Sequence, residues 1–183
     1  MQARKEIRAM VRVALSVAFL CVSAMIAVPF FAVPFTLQSL AVLAVLALLG
    51  WKAGGAAILV YLALGAVGLP VFSGFTGGVG ILFGQTGGFL FGFLFAVPVF
   101  ALISSVKKGS RLFTVLAMVG ALFTDYLVGA LWYYFLFASE TSFFASLTVT
   151  VLPFLLPDAV KAALALFISE RMKKHPSLFK KGL

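Results

Sequence analysis

From Val13 to Trp51, and again from Ala53 to Val106, the chain carries no Asp, Glu, Lys, Arg or His. Apolar runs of that length cannot be hidden inside one water-facing globule, in which about a quarter of the residues are charged. Here 10% are charged and 63% are hydrophobic over 183 residues. The solvent for such a surface is a bilayer. Crossing its hydrocarbon takes about 20 residues of helix, and fewer where short helices pack tightly. The chain has room for about six crossings and no separate soluble domain.

The pattern predicts an all-α integral membrane protein, a single membrane domain with helices over 10–28, 36–50, 53–67, 87–106, 112–137 and 157–172. Pro29 and Pro34 make the first connection extended rather than helical. "GWKAGG", with Trp51 and Lys52, reads as a tight turn, and "KKGSR" as a short polar one. A glycine-rich outer connection covers 68–86. The apolar stretch 143–156 is broken by Pro153 and reads as a short membrane-edge segment, with the last helix starting at Pro157, the first-turn position that proline favours. The run from Val13 to Val28 is long for a cleaved signal and is expected to remain as a helix.

The net charge of +9 is not a nucleic-acid signal, because its distribution is that of cytoplasmic loops. Arg4, Lys5, Arg8 and Arg12 precede the first helix, Lys52 sits in one turn, and Lys107, Lys108 and Arg111 in another. Arg171, Lys173, Lys174, Lys180 and Lys181 lie towards the C-terminus, where His175 reads as solvated. With both termini cytoplasmic these clusters all fall inside, the outer connections have no Lys or Arg, and Glu140 lies outside. An odd number of crossings would strand the C-terminal cluster outside.

This orientation gathers the unusual polar residues at the outer face: Gln38, Ser73, Thr76, Gln85, Thr86, Asp158 and Lys161. Asp158 and Lys161, three apart in "LPDAVKAAL", share one helix face. Ionised side chains at membrane depth usually line a site. A carboxylate beside an ammonium suits a neutral ligand group such as a urea or amide. The plain alternative is an ion pair that pins helices together. Asp125, midway along its helix without a basic partner there, is expected to hydrogen-bond a neighbouring helix rather than a ligand. Trp132, Tyr133 and Tyr134 read as an outer aromatic belt, with Trp51 as its inner counterpart.

Ten of the 17 glycines fall between Gly65 and Gly92. Non-helical backbone at membrane depth is tolerated where it is buried in protein or lines a cavity. "GQTGGF" lacks the Lys and the strand of a phosphate loop. Gly87 and Gly88 would present backbone N–H groups to an anion at a helix start. Ala14 and Ala18 read as internal helix packing or as a docking face for another membrane protein. The one cysteine, Cys21, excludes an internal disulfide. With one His and one Cys and no hydrolase or zinc motif, a catalytic metal site is not expected.

"VPFTLQSLAVLAVLALLG", "LVYLALGAVGLPVFSGFTGGVGILFGQTGGFLFGF" and "LPDAVKAALAL" resemble the BioY family, the biotin-binding S component of energy-coupling factor (ECF) transporters. The resemblance spans nearly the whole chain in order. It implies a cell-membrane protein that captures biotin from outside, without enzymatic activity or cofactor of its own. Partners would be a transmembrane coupling protein and cytoplasmic ATPases that hydrolyse ATP, although some members occur without dedicated partners. Asp158 and Lys161 match the family's Asp-x-x-Lys, implied to hold the ureido ring. Gln38, Gly74, Thr76, Gly77, Gly87 and Gly88 fall in the implied biotin site, and Ala14 and Ala18 match the helix-one motif implied to face the coupling protein. Thr76 stands where some relatives carry Asn, and Leu90 where some carry a basic residue. The alternatives are an S component for another vitamin, a structural or assembly membrane protein, and an intramembrane enzyme. The last would need Asp125 and Asp158 within reach of one another, and nothing in the sequence brings them there.

Overall fold

The structure is a computed structural model describing residues 2–29, 33–138 and 140–174. His175, Lys180 and Lys181 lie outside the described residues, as does the middle of the first connection. Helix α1 covers Gln2–Met25. It starts well before the predicted residue 10 because the segment ahead has no Gly or Pro and is rich in good helix formers. The segments on either side of the proline-bounded connection are short extended strands that pair. Strands β1 (Ala27–Val28) and β2 (Phe35–Thr36) are antiparallel, with Ala27 opposite Thr36 and Val28 opposite Phe35.

Helix α2 spans Gln38–Ala66, interrupted at the single residue Gly50, where φ is 76° and ψ 175°. Glycine reaches that conformation without a Cβ penalty. The chain doubles back there. Gln38 Nε2 donates to Tyr61 Oη at 2.7 Å. In an unbroken helix residues 23 apart would be roughly 35 Å apart. The predicted helices over 36–50 and 53–67 are therefore two arms of one hairpin, turning on one residue rather than on a loop. The first arm is buried without interruption from Gln38 to Ala47. A segment apolar all round belongs at the centre of a bundle, and α1, α4 and α7 all pack against α2.

After the hairpin come a glycine-rich loop with a short helix α3 (Val79–Leu82), then α4 (Gly87–Val106) and α5 (Arg111–Phe137). The last two pack closely because small residues face large ones. A side chain at Gly88 would collide with Trp132, and one at Gly129 with the Phe89 ring. Helix α6 (Phe143–Thr150) is capped by Ser142, whose Oγ accepts from the Ala145 amide at 3.2 Å. A 3-10 turn over Leu152–Phe154 leads to α7 (Leu155–Lys174). This last helix begins two residues before the predicted Pro157. The first-turn amides have no intrahelical acceptor, so proline is tolerated there and the helix extends back past it.

Five helical stretches among the described residues are long and apolar enough to cross a membrane, the α2 hairpin counting as one of them. Large apolar side chains such as Phe123, Phe144 and Leu156 face outwards, as lipid requires. An ion pair of 3.0 Å between Arg111 and Glu170 puts the start of α5 and the end of α7 at the same end of the bundle.

Candidate ligand-binding site

At the opposite end from that ion pair, the bundle encloses a cavity of about 270 Å³. Its wall is largely apolar, with Phe72, Phe89, Leu90, Phe93 and Phe154 among its residues. Besides Thr36 of β2, its polar groups converge from four parts of the chain. Asp158 and Lys161 come from α7, Gln38 and Ser39 from the first turn of α2, Asp125 and Tyr126 from α5, and Ser73, Thr76 and Thr86 from the glycine-rich region. Small-molecule sites have this composition, an apolar wall with a few placed polar groups.

The i, i+3 spacing puts Asp158 and Lys161 on one face, as expected, and both are 5% exposed. Lys161 Nζ lies 2.6 Å from Asp158 Oδ1. Three further groups hold the pair. Ser39 Oγ donates to Asp158 Oδ1 at 2.8 Å and accepts from Lys161 Nζ at 3.2 Å. Tyr126 Oη donates to Asp158 Oδ2 at 2.6 Å. The Lys161 ammonium also sits 3.9 Å from the centroid of the Phe35 ring, whose face attracts a cation. Both charges are thus partnered and fixed in orientation, which is the condition for keeping an ion pair in an apolar interior.

Beside this cluster, the Gln38 amide is held from both ends. Thr36 Oγ1 donates to its Oε1 at 2.9 Å, while its Nε2 donates to Tyr61. Tyr61 in turn packs edge-on against Phe72, centroids 5.5 Å apart. Phe72 anchors the glycine-rich loop, lying where a side chain at Gly65 would otherwise be. The loop turns through Gly74 (φ 69°) and Phe75 (φ 59°) and closes with the Phe72–Thr76 bridge. This presents Ser73 and Thr76 to the cavity.

Of the residues singled out in the sequence, Gln38, Thr76, Asp158 and Lys161 line this cavity together. Gly74 and Gly77 shape the loop behind it, and a side chain at Gly77 would strike the Leu69 carbonyl. Gly87 departs from expectation. The Gly87 amide already donates to the Gly84 carbonyl at 3.0 Å, and the two glycines make room for Leu82 and Trp132. Trp132 also turns inward, donating to the Gly84 carbonyl at 3.0 Å and packing at a tilt against the Phe91 ring, rather than standing in a lipid-facing belt. Asp125 overturns its expectation too. Its Oδ1 has no hydrogen-bond partner among the described residues, because the facing side of α4 there is glycine and phenylalanine. The fold, not the spacing, brings it to the same cavity as Asp158. Ala14 and Ala18 are exposed on α1, so they do not pack internally. Among the described residues no group of three or more His, Cys, Asp or Glu could hold a metal ion.

Ser39, Tyr126 and Phe35 were not singled out in the sequence. Ser39 and Tyr126 each adjoin a residue that was, which is the only local signal they carry. Phe35 is one phenylalanine among 21.

Comparison with known proteins agrees with this architecture. The sequence pattern described as the BioY family matches residues 1–177. The probable biotin transporter BioY of Pyrococcus horikoshii is 39% identical over 161 residues, 88% of this chain and 93% of that protein. The biotin transporter BioY of Thermotoga maritima is 35% identical, over 91% of this chain and 96% of that one. A crystal structure of the S-component for biotin from an ECF-type ABC transporter superposes with a TM-score of 0.85 at 26% identity, covering 97% of each chain. Membrane-length helices, the buried cluster and a family match across nearly the full length make this a multi-pass membrane protein, and the chain belongs to the BioY family.

Proposed function

We propose that this chain is the substrate-capture (S) component of an ECF-type vitamin transporter and that its ligand is biotin. The carrying observation is the buried Asp158–Lys161 pair, fixed by Ser39 and Tyr126 and set in an apolar cavity. A cyclic urea presents N–H donors beside a carbonyl acceptor. Asp158 Oδ2, which holds one hydrogen bond from Tyr126, retains acceptor capacity for an N–H. Lys161 donates to the urea oxygen. The fused ring and aliphatic chain of biotin pack on Phe89, Leu90 and Phe93, and the loop carrying Ser73 and Thr76 closes over the carboxylate end. Gly74 and Gly77 give that loop its course, and Gly87 and Gly88 let α4 approach α5 behind it. The names of the relatives and of the superposed structure support biotin over another vitamin.

The protein captures its ligand and catalyses no reaction, and it needs no cofactor. Uptake uses ATP hydrolysed by partner subunits, met through a transmembrane coupling protein at the exposed Ala14–Ala18 face of α1. The chain crosses the cell membrane six times with both termini cytoplasmic. Support comes from the α2 hairpin, which contributes two crossings, and from the alternation of basic clusters. The cavity then opens outwards. Calorimetric titration of the purified protein in detergent against a panel of vitamins tests the reading. Saturable 1:1 heat with biotin and none with the others is expected, and binding of a different vitamin would keep the capture role while replacing the ligand. Absence of any vitamin binding would favour the structural pin.

A further inference from the structure

Asp125 is 5% exposed, lines the same cavity as Asp158, and its Oδ1 has no hydrogen-bond partner among the described residues. Buried polar groups are rarely left so, and a carboxyl that lines a cavity without a partner of its own is most simply completed by what fills the cavity. The packing is built around this carboxyl. A side chain at Gly92 would collide with Asp125 Oδ1, and only glycine leaves the group its place. The residues of α4 that share the cavity here, Phe89, Leu90 and Phe93, have no side-chain donor to offer it.

The acceptor count at Asp158 gives the orphan a task. A carboxylate has about four acceptor positions, two on each oxygen. Oδ1 already accepts from Lys161 and Ser39, and Oδ2 from Tyr126. One position remains. A cyclic urea carries two N–H groups, one more than Asp158 can take. We propose that Asp125 is a second ligand-binding carboxyl of this cavity, accepting, on the edge that lines the cavity rather than on the Oδ1 packed against Gly92, the urea N–H that Asp158 cannot. This rests on the reading that the ligand is biotin. It assigns the ring a fixed orientation, with one nitrogen towards α7, the other towards α5, and the oxygen towards Lys161.

The test compares biotin with its two mono-N-methyl derivatives, each lacking one urea N–H, on the full chain and on Asp125→Ala. If the unaltered chain does not bind biotin, the proposed ligand itself fails, whatever Asp125 does. Given biotin binding, Asp125→Ala is expected to weaken it about five- to a hundredfold, the cost of leaving a urea N–H without a partner in a buried site. For the derivative methylated on the nitrogen facing Asp125, the same substitution should add less than about threefold, since the partner group is already gone. Equal weakening of all three ligands would mean that Asp125 merely supports the fold and would overturn the proposal. Biotin affinity within about twofold of the unaltered chain would also overturn it. Should Asp125→Ala not purify as a monodisperse species, Asp125→Asn keeps the shape and is read by the same three-ligand comparison, with a smaller expected loss because its amide keeps an acceptor oxygen.

Discussion

Replacing Asp158 by Asn keeps the size of the side chain and removes its charge. Oδ1 receives Lys161 at 2.6 Å and Ser39 at 2.8 Å, so the Asn carbonyl must take that position, since an NH₂ there would face the ammonium donor to donor. The Asn NH₂ then replaces Oδ2, where the Tyr126 hydroxyl can rotate to accept from it. A ligand N–H directed at Oδ2 meets a donor instead. Loss of a hydrogen bond to a charged group costs about 1.5–3 kcal/mol. At about 1.4 kcal/mol per decade, biotin affinity should fall roughly ten- to a hundredfold. The Lys161 charge loses its counter-ion in the interior, and breaking a buried pair by removing one partner costs about 3–5 kcal/mol of stability. Asn retains a dipole at Oδ1, so the melting temperature should fall by less than that range implies. Titration calorimetry and a thermal melt on the monodisperse protein measure both effects. A structural pin makes a different forecast: both single variants, Asp158→Asn and Lys161→Met, aggregate, and a double apolar replacement restores folding. Unchanged biotin affinity in a well-folded Asp158→Asn variant would refute the reasoning and remove this residue from the site.

The other expectations concern the partner face, the topology and the far end of the ligand. Ala14→Leu or Ala18→Leu, on the exposed face of α1, should abolish co-purification with a coupling protein while leaving vitamin titrations unchanged; joint loss of both would return the alanines to internal packing. Single cysteines near Gly77 and Glu140 should react with an impermeant thiol reagent from outside, whereas labelling near Lys108 from outside would contradict six crossings with cytoplasmic termini. Lys161, already paired, is the only Lys or Arg among the described residues lining the cavity, so the ligand carboxylate meets no cation of its own. Biotin and its neutral primary amide should therefore bind within about threefold of each other, and a preference above about tenfold for the acid would show a counter-charge that this wall lacks.

What the sequence disclosed follows from which interactions are local. The charge-free runs and the basic clusters give membrane class and orientation because each depends on composition within one segment. Asp158 and Lys161 were legible because their partnership is an i, i+3 relation. Gly50 was legible as a turn but not as a one-residue reversal, since "GWKAGG" offers several glycines and tertiary packing selects one. Pro157 shows the same limit at a boundary, where a first turn without intrahelical acceptors accommodates proline anywhere within it.

The misreadings concern partners far apart in sequence. Ser39 and Asp158 meet across 119 residues, and nothing about a serine in "LQSL" announces a carboxylate at the other end of the chain. Asp125 was expected to find a helix partner because buried carboxyls generally do. That expectation fails for a physical reason visible only in three dimensions. The neighbour that packs against it is glycine, which brings bare backbone close and supplies no side-chain donor. The same glycine-rich register that lets α4 lie tightly on α5 thus leaves a polar atom unfilled beside the one cluster able to orient a ligand. Tight packing around an unsatisfied group is a costly arrangement for a fold alone, and it becomes reasonable once the cavity is understood as the place where the same carboxyl finds a hydrogen bond on its other edge.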